Sequence, residues 1–320
     1  MKILNIITRI ILTGIVALTS TSCHHKDLVY SHVNEVTTEV IFDWQKAPDA
    51  DPKSMALYMY ESSSDKPLRY IFSDKFGGQI TLPYGRYSGL AMNSDNTDWA
   101  RTRATEDIEN FEIYTPDVEE LSAYNLTSRS IPRAAGTEDE RLASTPGMMW
   151  CDRGDDIDMP AEITHKTITF YPEEAVCHYT VDILDVDNLK YLHGSEIDGT
   201  LSGMAEGFYD GKMLATDNKV TMSFVLSMNE QGNGLHAEFL TFGECPHNDC
   251  NHVLSLYMIL TDGTKLHYTW DVSNQISDAP DSTHVNIVVR GLTIPQPINN
   301  GGGFKPDVND WVTEHIGIKM

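Results

Sequence analysis

From about residue 35 onward, apolar residues recur at every second position rather than every third or fourth. Met55, Leu57 and Met59 alternate with Ala56, Tyr58 and Tyr60, and Cys177, Tyr179, Val181 and Ile183 alternate with His178, Thr180 and Asp182. Successive side chains of an extended chain point to opposite faces, so this spacing predicts strands with one buried face. Val285, Ile287 and Val289 repeat the pattern, and residues 37–43, 79–82, 87–92, 220–226, 235–242, 253–260 and 265–270 read as further strands. Gly77-Gly78, Pro83-Tyr84-Gly85, Gly232-Asn233-Gly234 and Asp262-Gly263 punctuate them, and the last pair, set between two apolar runs, is a strong hairpin signal. One short helix is expected at 115–120, with Thr115 as cap and Pro116 at the first helical position.

The chain is therefore read as mainly β. Parallel α/β sheets need a crossover helix between strands, and there is no room for such helices, so two tandem antiparallel β-sandwiches are expected. Between 123 and 158 the periodicity fades into Ser, Thr, Arg, Gly and acidic residues. The expected division is a signal segment at 1–22, a tether at 23–35, an N-terminal sandwich at 36–135, an acidic connection at 136–160 and a C-terminal sandwich at 161–320.

The first residues differ from the rest. Lys2 gives a positive start, Ile10 to Leu18 is a compact apolar run, and small polar residues lead from Thr19 to Ser22 into Cys23. This is the layout of a signal peptide, and it resembles a bacterial lipoprotein signal, in which a peptidase cuts before a cysteine that becomes the lipidated N-terminus. Ser20 stands where an aliphatic residue is usual, and Arg9 interrupts the apolar region. The run is too short for a spanning helix, which takes roughly 20 residues. Cys23 is the expected lipidation site, and the membrane its first partner.

Charge and composition narrow the function. The 320 residues carry 23 Lys+Arg against 47 Asp+Glu, a net charge of −24. Removing 1–22 takes away Lys2 and Arg9 and no acid, so the mature balance is 21 − 47 = −26. A nucleic-acid surface needs clustered cations, and none exists, so no nucleic-acid partner is expected. Acyl chains contribute about 0.8 kcal/mol per buried CH₂ and hold a soluble body at a membrane without basic residues.

Candidate chemistry is sparse. Cys245-Pro246-His247-Asn248-Asp249-Cys250-Asn251-His252 brings two thiols and two imidazoles together. In an exported chain a disulfide between Cys245 and Cys250 is the simplest reading, with a metal set or free thiols as alternatives. Cys151 and Cys177 could pair, or Cys177 could remain a buried thiol. Asp152, Asp155, Asp156 and Asp158 lack the ligand spacing of a calcium loop, and residues 93–98 read as a self-bonding loop. Neither a Gly-x-Ser-x-Gly elbow nor a His-Glu-x-x-His helix occurs, so no catalytic residue, metal or cofactor is assigned. Trp44, Trp99, Trp150, Trp270 and Trp311 would serve a glycan ligand only if several shared an exposed face; core packing is the better reading for Trp44 and Trp270.

Several marks then fall in a recognisable order: CHHKDL, IFDWQKAP, MALYMY, ITLPYGRYSGLAMNSD, LTDGTKLHYTWDVSNQI, VNIVVRGLTIP and GGGFKPDVNDWVTEHIGI. Together they resemble the DUF5119 lipoproteins of gut Bacteroidales, relatives of the fimbrillin and fimbrial-anchor superfamily. The resemblance implies two transthyretin-like sandwiches, export to the outer membrane and a part in pilus assembly; a cell-surface location, pilin subunits and a host or glycan ligand as partners, and no enzymatic activity are expected, with a surface glycan-binding lipoprotein as the alternative. Pilins of this kind join when an extended segment of one subunit completes a sheet of the next. In the polymerising relatives an arginine-specific protease removes the first strand; here no arginine lies between Cys23 and Arg69, which favours an anchor, tip or accessory adhesin subunit. Residues 37–43 and 283–292 are the candidate contact strands.

Overall fold

The computed structural model describes residues 35–247, 250–297 and 311–317. The signal segment, Cys23 and nearly all of the tether lie outside the described residues. The first strands are β1 (Glu35–Phe42), β2 (Met55–Glu61), β3 (Leu68–Phe72), β4 (Gly77–Pro83) and β5 (Gly85–Asn93). Short strands follow: β6 (Arg101–Arg103), β7 (Glu112–Tyr114), β8 (Glu120–Leu121), β9 (Leu126–Thr127) and β10 (Arg141–Ser144). Next come β11 (Trp150–Met159), β12 (His165–Phe170), β13 (Glu173–Glu174), β14 (Cys177–Leu184) and β15 (Glu196–Ala205). The remainder is β16 (Gly207–Tyr209), β17 (Leu214–Ala215), β18 (Lys219–Met228), β19 (Leu235–Thr241), β20 (Val253–Ile259), β21 (Lys265–Asp271), helix α1 (Ser273–Ser277), β22 (His284–Arg290) and β23 (Trp311–His315).

Two lobes result. In the first, the sheet β12-β1-β4 faces the sheet β13-β11-β5-β2-β3. Alternation on β1 sends Val36, Thr38, Val40 and Phe42 inward, where they meet Leu57, Met59, Tyr87 and Phe170. Phe42 and Phe72 pack edge-on with centroids 5.3 Å apart. In the second lobe one sheet, β22-β14-β19-β18-β15-β20-β21-β23, folds back on itself. The fold lies at β18 and β19, which pair only at Ser227↔His236 and Met228↔Leu235. Layers β22-β14-β19 and β18-β15-β20-β21-β23 thereby enclose Val181, Ile183, Leu201, Met222, Leu256 and Ile287.

A third, thin layer covers the second lobe. Residues 115–144 run across the outer face of β15, β20 and β21, where Leu121, Leu126, Ile131 and Leu142 pack on Tyr257. Asp198 accepts the backbone N–H groups of Ala123 (2.9 Å) and Tyr124 (3.2 Å), and Tyr257 donates to Pro132 O (3.0 Å). Polar residues that alternation would leave in water, including Thr200, Ser202 and His267, are buried as a result.

Three expectations change. Residues 115–120 form no helix: Asp117 bridges Ala143, and Val118 N donates to Leu142 O, so tertiary pairing overrides the cap signal. The acidic stretch at 136–160 is no free connection, because β10 pairs with β18 and β11 pairs with β5. With β12 on β1, residues 150–170 belong to the sheets of the first lobe rather than to a boundary and the lobe that follows it. A register shift between Gly154 and Ile157, with Asp156 at φ 54°, turns the acids outward and hides the alternation. Finally, the sheets are mixed: β1–β12, β10–β18, β14–β22 and β21–β23 run parallel. Each of these pairs is joined by a long excursion through other strands, which supplies the crossover that a helix would otherwise make.

Candidate functional site

Joining subunits by sheet pairing requires an edge whose backbone groups are still available. Of the two candidate strands, 37–43 has no such edge. β1 is central, parallel to β12 from Thr37↔His165 to Phe42↔Phe170 and antiparallel to β4 from Glu35↔Pro83 to Ile41↔Gly77. The other, 283–292, contains β22, the outermost strand of its layer, which among the described residues pairs only with β14.

The open side of β22 is partly occupied by a side chain. Val288 N donates to Gln275 Oε1 at 2.8 Å, and Gln275 Nε2 donates to Val288 O at 3.1 Å. A primary amide presents its carbonyl oxygen and one of its two N–H donors along one edge, as a strand residue presents its own C=O and N–H, so Gln275 imitates a neighbouring strand for one residue. α1 holds it there: Asp271 Oδ1 accepts from Ser273 N (3.0 Å) and Oγ (2.7 Å), bonds that hold the Asp271 carboxyl below its ordinary range. Beside this cap lies a groove of about 470 Å³ lined by Trp270, Val272, Gln275, Val289, Arg290 and Ile316. Sequence reading gave Gln275 no role, since a glutamine in a short polar turn has no periodic signal.

The outer face next to this edge is rich in imidazole and carboxylate. His178 and His284, in register across β14 and β22, stack with centroids 4.8 Å apart. Glu174 contacts His178, and Asp281 lies 3.3 Å from His284. On β19, His236 bonds Asp182 through Nδ1 at 2.8 Å, which, with the weaker contact to Glu238, raises its pKa above the usual imidazole value.

The remaining candidates fall into structural roles. Cys245 and Cys250 are placed as a disulfide, S–S 2.07 Å, whereas Cys151 and Cys177 are unpaired. Burial pushes the Cys177 thiol up to about 11. Among the described residues no group of three or more His, Cys, Asp or Glu is placed to hold a metal. Asp152 accepts Tyr171 N at 2.7 Å, and Asp155 pairs with Arg153. In the 93–98 loop, Asp95 accepts Lys53 N and Asn93 Nδ2. Trp44, Trp150 and Trp270 are buried, and Trp311 stands edge-on to Tyr257. No exposed tryptophan platform forms.

Two buried carboxylates, Glu112 and Glu206, converge on Arg103, with Glu112 gripping it through two bonds of 2.6 and 2.5 Å and Glu206 at 2.9 Å. Burial works to raise Glu206, but the bonds from Arg103 and Asn218 outweigh it and leave the carboxyl below its usual range. Both acids are thus occupied by the one guanidinium, which suits a cross-link between β7 and the β15–β16 corner rather than acid–base chemistry.

Two sandwiches in tandem, with one sheet edge at β22 covered only by a side chain among the described residues, define a β-rich protein with a strand placed for pairing. The chain belongs to the DUF5119 family, a domain of unknown function whose profile matches residues 22–225. It is similar, at 22% identity and over 92% of both chains, to a Bacteroides ovatus protein provisionally named fimbrium anchoring subunit Fim4B. Its fold is shared with a Bacteroides ovatus crystal structure described as an adhesin (TM-score 0.62, 20% identity, 87% of this chain and 99% of that one). It is shared also with the fimbrial anchor protein Mfa2 of Porphyromonas gingivalis (TM-score 0.50, 10% identity, 80% and 90%). These relatives are anchors and adhesins, non-enzymatic in kind.

Proposed function

We propose that the chain is a lipid-anchored, non-catalytic subunit at the base of a cell-surface fimbrium. Cys23 is the acylated residue, the outer membrane is the anchoring surface, and subunit contact is made by strand addition along β22. The observation that carries this reading is the retention of β1. A shaft subunit must give up its first strand to open an acceptor groove. Here that strand is paired on both sides, and the first arginine after Cys23 is Arg69, well inside the fold. With 12 residues from Cys23 to Glu35, the tether reaches at most roughly 40 Å, which keeps the first lobe near the membrane. The Cys245–Cys250 bridge suits the same exported setting.

The test is co-purification from membranes with polymerised pilin, comparing wild type with Cys23→Ser and with Asn286→Pro on the free side of β22. Cys23→Ser should leave the protein soluble and unlabelled by fatty acid, while Asn286→Pro should keep it on the membrane but reduce pilin recovery at least tenfold. Membrane retention without acyl label, or unchanged pilin recovery from a folded Asn286→Pro variant, would sink the corresponding half of the reading.

A further inference from the structure

The turn that follows β16 reaches from the second lobe into the first. Asp210 N donates to Phe111 O at 3.1 Å, and Arg153 Nη1 donates to Gly211 O at 2.5 Å. Cys151 Sγ lies 3.4 Å from Met213 Sδ. A Cβ on Gly211 would fall 1.7 Å from Ile108 O, so the backbone itself is seated against the 104–111 loop. At the centre of this contact the Asp210 side chain is 0% exposed, and neither carboxyl oxygen has a hydrogen-bond partner.

The groups facing that carboxyl offer no compensation. Its charge is felt by Tyr60 on β2, whose hydroxyl is committed to Thr105 O at 2.9 Å, and by the thiol of Cys151 on β11. The other charges acting on these two groups, Glu106 and Asp107 on Tyr60 and Asp152 and Glu173 on Cys151, are all acidic. Arg153 is held by Glu109, Asp155 and Gly211 O, and Lys212 lies over the Tyr209 ring. An ionised carboxylate enclosed without a cation loses its hydration and gains nothing in return, so the neutral acid is favoured. Burial accordingly holds Asp210 well above the ordinary carboxylate range.

We propose that the 210–213 turn is a proton-loaded latch between the lobes: it seats with Asp210 as a neutral carboxylic acid, takes up a proton on closing, and loosens when that proton is lost. The direction follows from linkage. The closed state has the higher pKa, so the latch contributes fully below the open-state value of about 3.9, and that contribution declines as pH rises towards and through the closed-state value. Three chain passages still join the lobes, so the change is a local loosening rather than separation.

The test follows alkylation of Cys151 relative to Cys177 in the full mature chain between pH 6 and 9, for wild type and Asp210→Asn. Both thiols titrate above this range, so their thiolate fractions cancel in the ratio. The ratio should rise at least tenfold in wild type and stay within twofold in the variant; matching profiles would overturn the proposal. If the variant does not fold, hydrogen exchange of the Asp210 amide in wild type decides. Its opening constant, after correction for base catalysis, should climb up to tenfold per pH unit, and a flat one would refute the latch.

Discussion

The entry strand of the first lobe and the outer strand of the second are both regular alternating strands, yet they occupy opposite situations. β1 spends its backbone bonds on two neighbours, whereas β22 spends them on one neighbour and a borrowed amide. Alternation alone made them equal candidates for subunit contact. The difference is that availability is a property of sheet order, so the strand that can take a partner is the one whose second side is satisfied by something easily removed.

Several measurements would break or sharpen this contrast. Phe42→Ala removes a ring that is 1% exposed and touches Phe72 and Phe170, and should cost about 3–5 kcal/mol in urea unfolding; a loss under 1 kcal/mol would mean that β1 is not integral to its lobe. Gly77→Ala comes next. Gly77 has φ 108°, and a Cβ there would lie 2.0 Å from Val40 O, so strain of about 1–3 kcal/mol at the β1–β4 pairing is expected, read as a lowered unfolding midpoint.

Gln275→Ala should cost about 1–2 kcal/mol, since two bonds to Val288 are lost at a partly buried edge. Its signature is local: faster hydrogen exchange at Val288 with β1 amides unchanged, and stronger pilin capture if the glutamine competes with an added strand. The smallest effect belongs to His236. Its raised pKa means that its contribution is full below the unfolded imidazole value near 6.5 and lost as pH rises through the folded value. Solvent screening limits it to a few tenths of a kcal/mol, so comparing stability of wild type and His236→Asn at pH 5.5 and 8.5 should show a small difference confined to the acid side.

Strands with one wet face were legible from the chain. Those predicted at 37–43, 55–60, 177–183 and 285–289 appear within a residue or two as β1, β2, β14 and β22. β15 was missed because it is buried on nearly its whole length, under the opposite layer on one face and the 115–144 segment on the other, and a strand with no wet face shows no alternation. Gly199 within it also weakens the signal, although a Cβ there would crowd Leu226 and Phe224 at 2.6 and 2.7 Å. β11 was missed for the opposite reason: its bulge sends a run of acids to the surface.

The chain by itself settled what depends on near neighbours in sequence: a β protein, its main turns, its acidity, and a cysteine that follows an apolar run. Period-two alternation and turn chemistry are local, so they survive without any knowledge of partners. Only the tertiary structure decided which strands are edges, that Gln275 covers one of them, that a polar sheet face is roofed by 115–144, and that Asp210 is enclosed between the lobes. Each of those depends on residues far apart in sequence arriving at one place, and no local pattern encodes that meeting.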